Sequence, residues 1–332
     1  MLNNKSILVT GGTGSFGQKF IQHIFEHDIP REVVVFSRDE FKQSEMAKKF
    51  SPAKYPIRYF LGDIRDKDRL MRAFVGIDFV VHAAALKQVP ALEYNPTEAV
   101  KTNILGAQNI VEAALERSVK KVVAVSTDKA VNPVNLYGAT KLVMEKVIIA
   151  ANALARYRDV LFCAVRYGNV VGSRGSVIPF FVNLINEGVR EMPVTDPRMT
   201  RFWITLDQGV KLVHKALTEA EGGDVFVPKI PSMKIVDLIA ALPGHCTQKI
   251  VGIRPGEKLH ETLIGEDEGR NAVDMGDYYI VLPQFGFETK RKADFADSMR
   301  VPEGFAYRSD TNSQWLSVAA LQSILQSCGL TV

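Results

Sequence analysis

The chain has 332 residues, 46% of them hydrophobic, and this length and apolar content predict two domains or one domain with a substantial cap. Its formal net charge of +4 is mild, and no stripe of lysine and arginine with interleaved aromatic residues indicates nucleic-acid binding, so we expect small anionic ligands. No stretch approaches the roughly twenty apolar residues of a membrane span, and the N-terminal residues lack the pattern of a secretion signal.

The first predicted strand leads into a glycine-rich turn. Ser6–Thr10 is an apolar run, glycines follow at Gly11, Gly14 and Gly17, and a helical pattern begins near Lys19. A strand, a glycine turn and a helix in this order are typical of a dinucleotide-binding site. We expect Gly11 to make the tight turn, Gly14 to admit a pyrophosphate and Gly17 to let the helix pack closely on the strand. The helix N-terminus would then receive the negative charge.

The second predicted strand ends about twenty residues beyond the glycines, where the group that binds the adenosine ribose is expected. Arg38 follows this strand and Lys42 lies one helical turn later, so both cations are candidates to bind the 2′-phosphate of NADP. Two alternatives remain open: Asp39 caps the next helix while the cations stay solvated, or Asp39 itself bonds the ribose of NAD. After the third strand, Asp63 is expected at the adenine edge, although an aspartate after Gly62 is also typical of a turn.

Strands and helices alternate through about residue 170, with predicted strands near 6–10, 32–36, 57–61, 78–82, 121–126 and 161–166. This order predicts an α/β protein with a Rossmann-type doubly wound parallel sheet, in which ligands bind at the carboxyl ends of the strands. Prolines interrupt the pattern beyond residue 170. We therefore predict an NADP-binding Rossmann domain over 1–170, to which some later segments return, and a smaller mixed α/β domain over 171–332 that mainly binds the substrate.

Candidates for proton transfer follow the fifth predicted strand. Thr127, Asp128 and Lys129 stand at its end, and Tyr137 and Lys141 are four positions apart on the next helix. That spacing puts the last two on one helix face, where the Lys141 ammonium is expected to lower the pKa of the phenol. The phenol can then move a proton while a nicotinamide moves a hydride. Each group also has a plainer interpretation: Tyr137 and Lys141 lie on a solvated helix face, and Asp128 and Lys129 form a salt-bridged turn.

Histidine and cysteine usage indicates a reduced protein without a metal site. The six histidines show no spacing typical of metal ligands. The three cysteines, Cys163, Cys246 and Cys328, are widely spaced, and an odd number of scattered thiols is typical of a cytoplasmic protein. We therefore expect a cytoplasmic protein that contacts no membrane.

Further motifs connect these elements. Thr10–Gly17, His82–Ala85, Asn103, Tyr137 with Lys141, and Arg166–Val170 stand where the extended short-chain dehydrogenase/reductases carry their motifs, and the sequence resembles that family. Longer segments resemble its inverting sugar-nucleotide 4,6-dehydratases, which act on UDP-N-acetylglucosamine: residues 37–46, 83–90, 126–130, 135–141, 166–175, 200–206 and 253–260. Such enzymes serve pseudaminic acid biosynthesis for flagellin glycosylation, or capsule synthesis, and the sequence leaves the pathway open.

The resemblance implies roles for the candidates at the fifth strand. Tyr137, with Thr127 beside it, would take the proton of the sugar 4-hydroxyl, and Lys141 would hold the cofactor ribose. Lys129 is the candidate base for the C-5 proton and Asp128 the candidate acid for the departing 6-hydroxyl. A lysine acts as a base only if its pKa falls, and we expect desolvation, Lys141 and the positive nicotinamide to lower it. Retaining dehydratases commonly have glutamate in place of Lys129, which accords with inversion at C-5.

The resemblance also implies the ligand-binding residues. The cofactor-binding candidates are Gly11, Thr13, Gly14, Ser15, Phe16, Gly17, Ser37, Arg38, Lys42, Asp63, Ile64, Ala83, Lys87, Asn103, Tyr137, Lys141 and Val170. The substrate-binding candidates are Lys87, Asn169, Thr195, Arg254 and Glu257. Arg254 would hold the diphosphate and Glu257 the uridine ribose, unless the two pair with each other across a proline turn. Arg174, Arg198 and Arg201 are either further phosphate ligands or surface charges.

Two other functions and the assembly state remain open. A sugar-nucleotide C-4 epimerase would share the cofactor and Tyr137 but would not need Asp128 and Lys129 as an acid-base pair. A non-catalytic NADP-sensing protein on the same fold would not need Tyr137 and Lys141 either. The resemblance further implies a homo-oligomer, with a hexamer as the suggested state.

Overall fold

The computed structural model describes residues 2–155, 158–173, 175–285 and 295–327. Its strands are β1 (Ser6–Thr10), β2 (Glu32–Ser37), β3 (Ile57–Leu61), β4 (Phe79–His82), β5 (Lys121–Val125), β6 (Leu161–Val165), β7 (Asn169–Val170), β8 (Glu191–Val194), β9 (Thr200–Ile204), β10 (Val225–Pro228), β11 (Ser232–Lys234), β12 (Thr247–Ile250), β13 (Thr262–Ile264), β14 (Ala272–Asp274), β15 (Tyr278–Val281) and β16 (Tyr307–Arg308). The six strands predicted before residue 170 begin and end within one residue of their predicted bounds.

The helices are α1 (Ser15–His27), α2 (Glu40–Lys49), α3 (Lys67–Ala73), α4 (Val89–Tyr94), α5 (Pro96–Ala99), α6 (Gly106–Glu116), α7 (Leu136–Leu154), α8 (Val177–Asn186), α9 (Leu206–Glu219), α10 (Ile235–Ala241), α11 (Glu266–Gly269) and α12 (Val318–Ser327). A π-helical segment, Val100–Leu105, joins α5 to α6, and short 3₁₀ turns form at Asp128–Ala130 and Asp297–Met299. Within the described part of the chain, no helix is both long and apolar enough to cross a membrane.

A nine-stranded sheet forms the centre, in the order β14-β15-β10-β6-β5-β4-β1-β2-β3. The run from β3 to β10 is parallel, whereas β15 and β14 add antiparallel at the far edge. The predicted Rossmann-type doubly wound sheet is therefore confirmed. The strand order reverses between β1 and β4, and a crevice at such a point is where this architecture binds ligands.

Side chains alternate between the two faces of the sheet because successive Cβ atoms of a strand point in opposite directions. In β1, Ile7 and Val9 join a buried cluster with α1 and α9. The intervening Leu8 joins a second cluster with α3, α6 and α7. A third cluster packs α8, α10 and α12 together with β8, around the smaller sheets β11-β9-β7 and β12-β8.

A buried arginine connects α7 with β13 and α11 through hydrogen bonds and ion pairs. Arg166 directly follows β6 and is only 1% exposed. Its guanidinium contacts Glu145 of α7, donates to Glu268 of α11 at 2.8 and 3.0 Å, and donates to the Leu263 carbonyl at 2.8 Å. Burial alone would lower the pKa of Arg166, but the two carboxylates outweigh it and hold the pKa above its ordinary value.

We predict that Arg166→Met lowers the free energy of unfolding by about 3–5 kcal/mol, because Glu145 would remain buried without its cation. Urea unfolding followed by circular dichroism measures this loss. The control is Arg270→Met, since Arg270 is 75% exposed and pairs with Asp267 at 3.4 Å, an exposed pair that contributes about 0–1 kcal/mol. Similar losses in both variants would show that the buried arginine has no special structural role.

Candidate active site

The turn after β1 has the shape that a dinucleotide requires. Gly11 has φ +68° and a Cβ there would lie 2.9 Å from the Ala84 amide nitrogen. A Cβ on Gly17 would lie 2.5 Å from the Gly12 Cα. Gly14 precedes α1 and gives its first turn no side-chain cap, which leaves the amides at this helix N-terminus available to an anion. These features fit a bound pyrophosphate.

Three further candidates line the same turn and are placed by packing. Thr13 is buried, and its carbonyl accepts a hydrogen bond from Gln18 at 3.0 Å. Ser15 begins α1, and the Phe16 ring stacks on Phe20 with 5.9 Å between centroids.

The cations proposed for the ribose end are already paired in the structure. Arg38 lies 3.6 Å from an Asp63 oxygen, and Arg65 approaches the same oxygen at 2.7 Å. Lys42 pairs with Asp39 at 2.7 Å, and Asp39 accepts the Lys42 amide at 2.9 Å as the cap of α2. Both cationic side chains are 51% exposed. Asp39 therefore caps α2, as one of the interpretations from the sequence expects.

Asn103 braces the loop after β4 rather than presenting a free amide. Its Nδ2 donates to the Leu86 carbonyl at 2.9 Å and to Thr140 at 3.0 Å, and its Oδ1 accepts the Leu86 amide at 2.8 Å. Ala83 begins this loop, and the Ala83 amide donates to Thr10. At the sheet edge, Ser37 is bonded by Gln43 at 3.0 Å, whereas Ile64 is buried beside Gly106.

The start of α7 lies directly against the turn after β5. A Cβ on Gly138 would lie only 2.1 Å from the Lys129 carbonyl oxygen, so a larger residue requires the backbone to shift. Asn135 caps the helix by accepting the Gly138 amide at 2.8 Å. This close approach brings Tyr137 beside Thr127 and the acid-base candidates.

Asp128 and Lys129 form a close pair in which the carboxyl is fully buried. Lys129 Nζ donates to Asp128 Oδ1 at 3.0 Å and to Asn169 Oδ1 at 3.1 Å, and Thr127 donates to Asp128 Oδ1 at 2.9 Å. Glu261 Oε1 lies 3.5 Å from the same amine. Burial raises the pKa of Asp128 even though Lys129 opposes this shift. Asp128 Oδ2 has no hydrogen-bond partner among the residues that the structure describes.

The expected fall in the pKa of Lys129 is wrong for this structure. Burial does lower the pKa, but Asp128 and Glu261 outweigh burial and raise it above the ordinary value of a lysine. The ammonium form is thus the resting form. Arg201 opposes the rise without reversing it.

The expected effect of Lys141 on Tyr137 is also not observed. Burial raises the pKa of Tyr137, and the cation that opposes this rise is Lys129, together with a hydrogen bond to Thr127. Lys141 instead donates to the Val125 carbonyl at 2.6 Å. Burial lowers the pKa of Lys141 to about 8.

The substrate-binding candidates are only partly brought together. Asn169 contacts Lys129 as described, and the pKa of Lys87 is lowered by burial and by repulsion from Lys129, which places Lys87 at the same site. Thr195 donates to the Met199 sulfur at 3.0 Å. Arg254 and Glu257 pair with each other, with Arg254 Nε 2.9 Å from Glu257 Oε1. The alternative pairing across the proline turn is therefore the observed one.

The remaining arginine candidates differ in exposure and in their partners. Arg198 is 70% exposed and pairs with Asp196 at 2.7 Å. Arg201 is buried, donates to the Lys258 carbonyl at 3.0 Å and lies 3.7 Å from Glu261. Arg174 and Cys328 lie outside the described residues.

Sequence reasoning missed Glu261 and Lys258 as neighbours of the acid-base pair. Glu261 stands directly after the motif of residues 253–260, but nothing in the local pattern connects it to Lys129. The connection is made through space, when the loop before β13 reaches the end of β5. In the described part of the chain, no group of histidine, cysteine or acidic residues is arranged to hold a metal ion.

Known proteins of similar sequence share this site's fold. A family model described as polysaccharide biosynthesis protein matches residues 7–283. The UDP-N-acetylglucosamine 4,6-dehydratase (inverting) of Campylobacter jejuni is 51% identical, over 98% of this chain and 98% of the relative. The UDP-glucose 4-epimerase of Rickettsia canadensis is 44% identical, over 85% of this chain and 84% of the relative.

Solved structures of similar fold include a sugar-nucleotide dehydratase. The X-ray structure of Pen from Bacillus thuringiensis has a TM-score of 0.90 and 38% identity, over 99% of each chain. DesIV, a dTDP-glucose 4,6-dehydratase from Streptomyces venezuelae solved with NAD and TYD bound, has a TM-score of 0.69 and 25% identity, over 76% of this chain and 86% of that chain. The chain therefore belongs to the polysaccharide biosynthesis protein family of the extended short-chain dehydrogenase/reductases.

We predict that Gly138→Ala lowers the free energy of unfolding by about 1–3 kcal/mol, because the added methyl group must push the Lys129 carbonyl away from α7. The control is Gly209→Ala in α9, where a Cβ would meet only Tyr167 at 3.8 Å. That change should stabilise the protein by about 0.4–1 kcal/mol through the unfolded chain. Thermal and urea unfolding measure both. Equal behaviour of the two variants would contradict the close approach.

Proposed function

We propose that this chain is an inverting UDP-N-acetylglucosamine 4,6-dehydratase, which yields UDP-2-acetamido-2,6-dideoxy-β-L-arabino-hex-4-ulose. The observation that carries the proposal is the contact of a buried carboxyl, Asp128, with an amine, Lys129, beside Tyr137. Dehydration needs an acid and a base in addition to the tyrosine that serves oxidation at C-4. The Campylobacter jejuni relative supports the same reaction and substrate.

An epimerase is the second candidate, because the Rickettsia canadensis relative bears that name. Epimerisation at C-4 needs only a reversible transfer at that carbon, and it leaves Asp128 and Lys129 without a chemical task. A non-catalytic sensor fits less well than either enzyme, because it would need neither Tyr137 nor Lys141, and this chain has both.

A nicotinamide cofactor fits the residues present, since the glycine turn and the uncapped start of α1 suit its pyrophosphate. When bound, that cofactor supplies the hydride acceptor for C-4 and the hydride donor for C-6. Tyr137 takes the proton of the sugar 4-hydroxyl as the phenolate, which the Lys129 cation and the hydrogen bond to Thr127 stabilise against burial. The 4-ketone that forms acidifies the proton on C-5, which makes its removal by a side-chain base feasible.

One proton exchange supplies both remaining roles. The ammonium of Lys129 gives a proton to Asp128, whose buried carboxyl has a raised pKa and lies 3.0 Å away. Lys129 becomes the neutral base that removes the C-5 proton. Asp128 becomes the neutral acid that protonates the 6-hydroxyl, so that it leaves as water. Asp128 Oδ2 has no hydrogen-bond partner within the described part of the chain, so it is available for that transfer. Once C-6 has regained hydride, a proton is added to C-5 on the opposite face, which gives the inverted L-arabino product.

We further propose the organisation and setting of the enzyme. Residues 1–170 would hold the cofactor and residues 171–332 mainly the substrate, with β10, β14 and β15 returning to the large sheet. Asn169 and Lys87 would contact the sugar or its phosphates, and Thr195 the nucleotide. Arg254 and Glu257 would have to exchange their mutual pair for the diphosphate and the ribose. We also propose that the enzyme is cytoplasmic and assembles as a homo-oligomer, specifically a hexamer. Its product would enter pseudaminic acid biosynthesis.

NADP is the cofactor form that we propose, with Arg38 and Lys42 as ligands of the 2′-phosphate. Replacing both by alanine should weaken NADP binding far more than NAD binding, by about 1.5–3 kcal/mol for each lost charge-assisted bond. Isothermal titration calorimetry measures the two affinities. Lys48→Ala is the control, because Lys48 also lies on α2 in an exposed ion pair, with Glu45. Equal weakening for both cofactors would contradict the assignment.

The reaction itself is tested in heavy water with UDP-N-acetylglucosamine. The wild type should release a 4-keto-6-deoxy product of L-arabino configuration with deuterium at C-5, detected by mass spectrometry and NMR. Lys129→Ala should lose dehydration and C-5 exchange by ~10²–10⁴-fold, because the general base is removed. Tyr137→Phe should stop the reaction earlier, at oxidation of C-4.

Lys211→Ala is the matched control, since Lys211 is exposed on α9, and it should retain wild-type activity. An epimer without water loss would support the epimerase instead. Product that keeps the D-xylo configuration, or normal C-5 exchange in Lys129→Ala, would show that Lys129 is not the base.

A further inference from the structure

A second buried carboxylate lies beside the acid-base pair. Glu261 is 3% exposed, and its backbone is fixed by Ser309, which accepts the Glu261 amide at 2.9 Å and donates its own amide to the Glu261 carbonyl at 2.9 Å. With the main chain held on both sides, the side chain projects towards the turn after β5. A buried carboxylate held in this way has a fixed charge position.

Three cations surround Glu261. Oε1 lies 3.5 Å from Lys129 Nζ and 3.7 Å from Arg201 Nε, and Oε2 lies 3.6 Å from Lys258 Nζ. Burial would raise the pKa of Glu261, but these cations outweigh it and lower the pKa. Glu261 is therefore ionised at neutral pH. Among the described residues, its Oε2 accepts no hydrogen bond.

Two of the three cations have other anchors. Arg201 donates to the carbonyls of Thr200 and Leu259 at 2.7 and 3.1 Å, and Lys258 donates to the Val131 carbonyl at 2.5 Å. Lys129, in contrast, has side-chain acceptors alone among the residues that the structure describes: Asp128, Asn169 and, at longer range, Glu261. These acceptors come from separate elements and surround one amine. Removal of Glu261 would thus change the surroundings of Lys129 most.

We propose that Glu261 is a positioning residue for the dehydration step, which holds the Lys129 amine between Asp128 and Asn169 and sets the pH at which Lys129 loses its proton. This inference rests on the proposed function, in which neutral Lys129 removes the C-5 proton. Glu261 does not touch the reacting atoms. It acts through the amine, by favouring the ammonium form in the resting enzyme.

The charged and titratable groups that face Lys129 set the sign of the effect. Asp128 and Glu261 favour its ammonium form, whereas Arg201 disfavours it. Lys87, Lys258 and Tyr137 also interact with Lys129. An opposite charge within about 4–6 Å shifts a pKa by about 1–3 units. Removing the Glu261 charge should lower the pKa of Lys129, and removing a neighbouring cation should raise it.

The test is the pH dependence of kcat for dehydration in wild type, Glu261→Gln and Lys258→Met. The pair is active with one proton, which lies on Asp128 when Lys129 is neutral, so kcat falls on the acid side as the Asp128–Lys129 pair takes up a second proton. Glu261→Gln should move this acid limb to lower pH by about 1–3 units, and Lys258→Met should move it to higher pH. Glu261→Asp keeps the charge but shortens the side chain, so it should lower kcat while leaving the limb near its wild-type position.

A readout without turnover keeps this test separate from the proposed reaction. Lysine labelled with ¹³C at Cε reports the pKa of Lys129 by NMR, with the signal assigned by its loss in Lys129→Met. The same directions of shift are expected in the two charge variants. Glu266→Gln is the matched control, because it makes the same charge change at an exposed position on α11.

An unchanged Lys129 titration in Glu261→Gln, or an effect confined to KM, would overturn the positioning role. Shifts of the same sign in Glu261→Gln and Lys258→Met would overturn it as well. Failure of the wild type to dehydrate UDP-N-acetylglucosamine would instead refute the proposed function, and the NMR titration would still decide the link between Glu261 and Lys129.

Discussion

The buried contact of Arg166 with two carboxylates fixes the geometry on which the active site depends. Glu145 belongs to the helix that carries Tyr137 and Lys141, whereas Glu268 and the Leu263 carbonyl belong to the segment that carries Glu261. One guanidinium thus sets the distance between two parts of the chain that are more than a hundred residues apart. Its planar fork suits this task, because several hydrogen bonds in one plane define orientation as well as distance.

Burial alone does not decide how the acid and the amines behave. Low polarity raises the pKa of a carboxyl and lowers that of an amine. Lys141 follows this rule, since its nearest acceptor is a backbone carbonyl. Lys129 departs from it because two carboxylates lie within 3.5 Å. The pKa values of two lysines in one site are therefore shifted in opposite directions. The shift favours the neutral amine of Lys141 and the ammonium of Lys129.

The sequence predicted what depends on local pattern. The strands before residue 170, the glycine turn and the position of Lys129 at a strand end follow from periodicity and order along the chain. The charge environment could not be predicted in this way. The approach of Glu261 to Lys129, the pairing of Arg254 with Glu257 and the resulting pKa directions depend on where distant loops meet, and no spacing in the sequence encodes those meetings.

The late arrival of β10 in the central sheet has a consequence for biosynthesis. The strands from β1 to β6 are complete by residue 165, but the partner of β6 on its outer side is β10, at Val225–Pro228. While the ribosome makes the intervening residues, the open edge of β6 exposes unpaired backbone groups, and such edges promote aggregation. The nascent chain therefore has a stretch of synthesis in which protection by a chaperone would matter most.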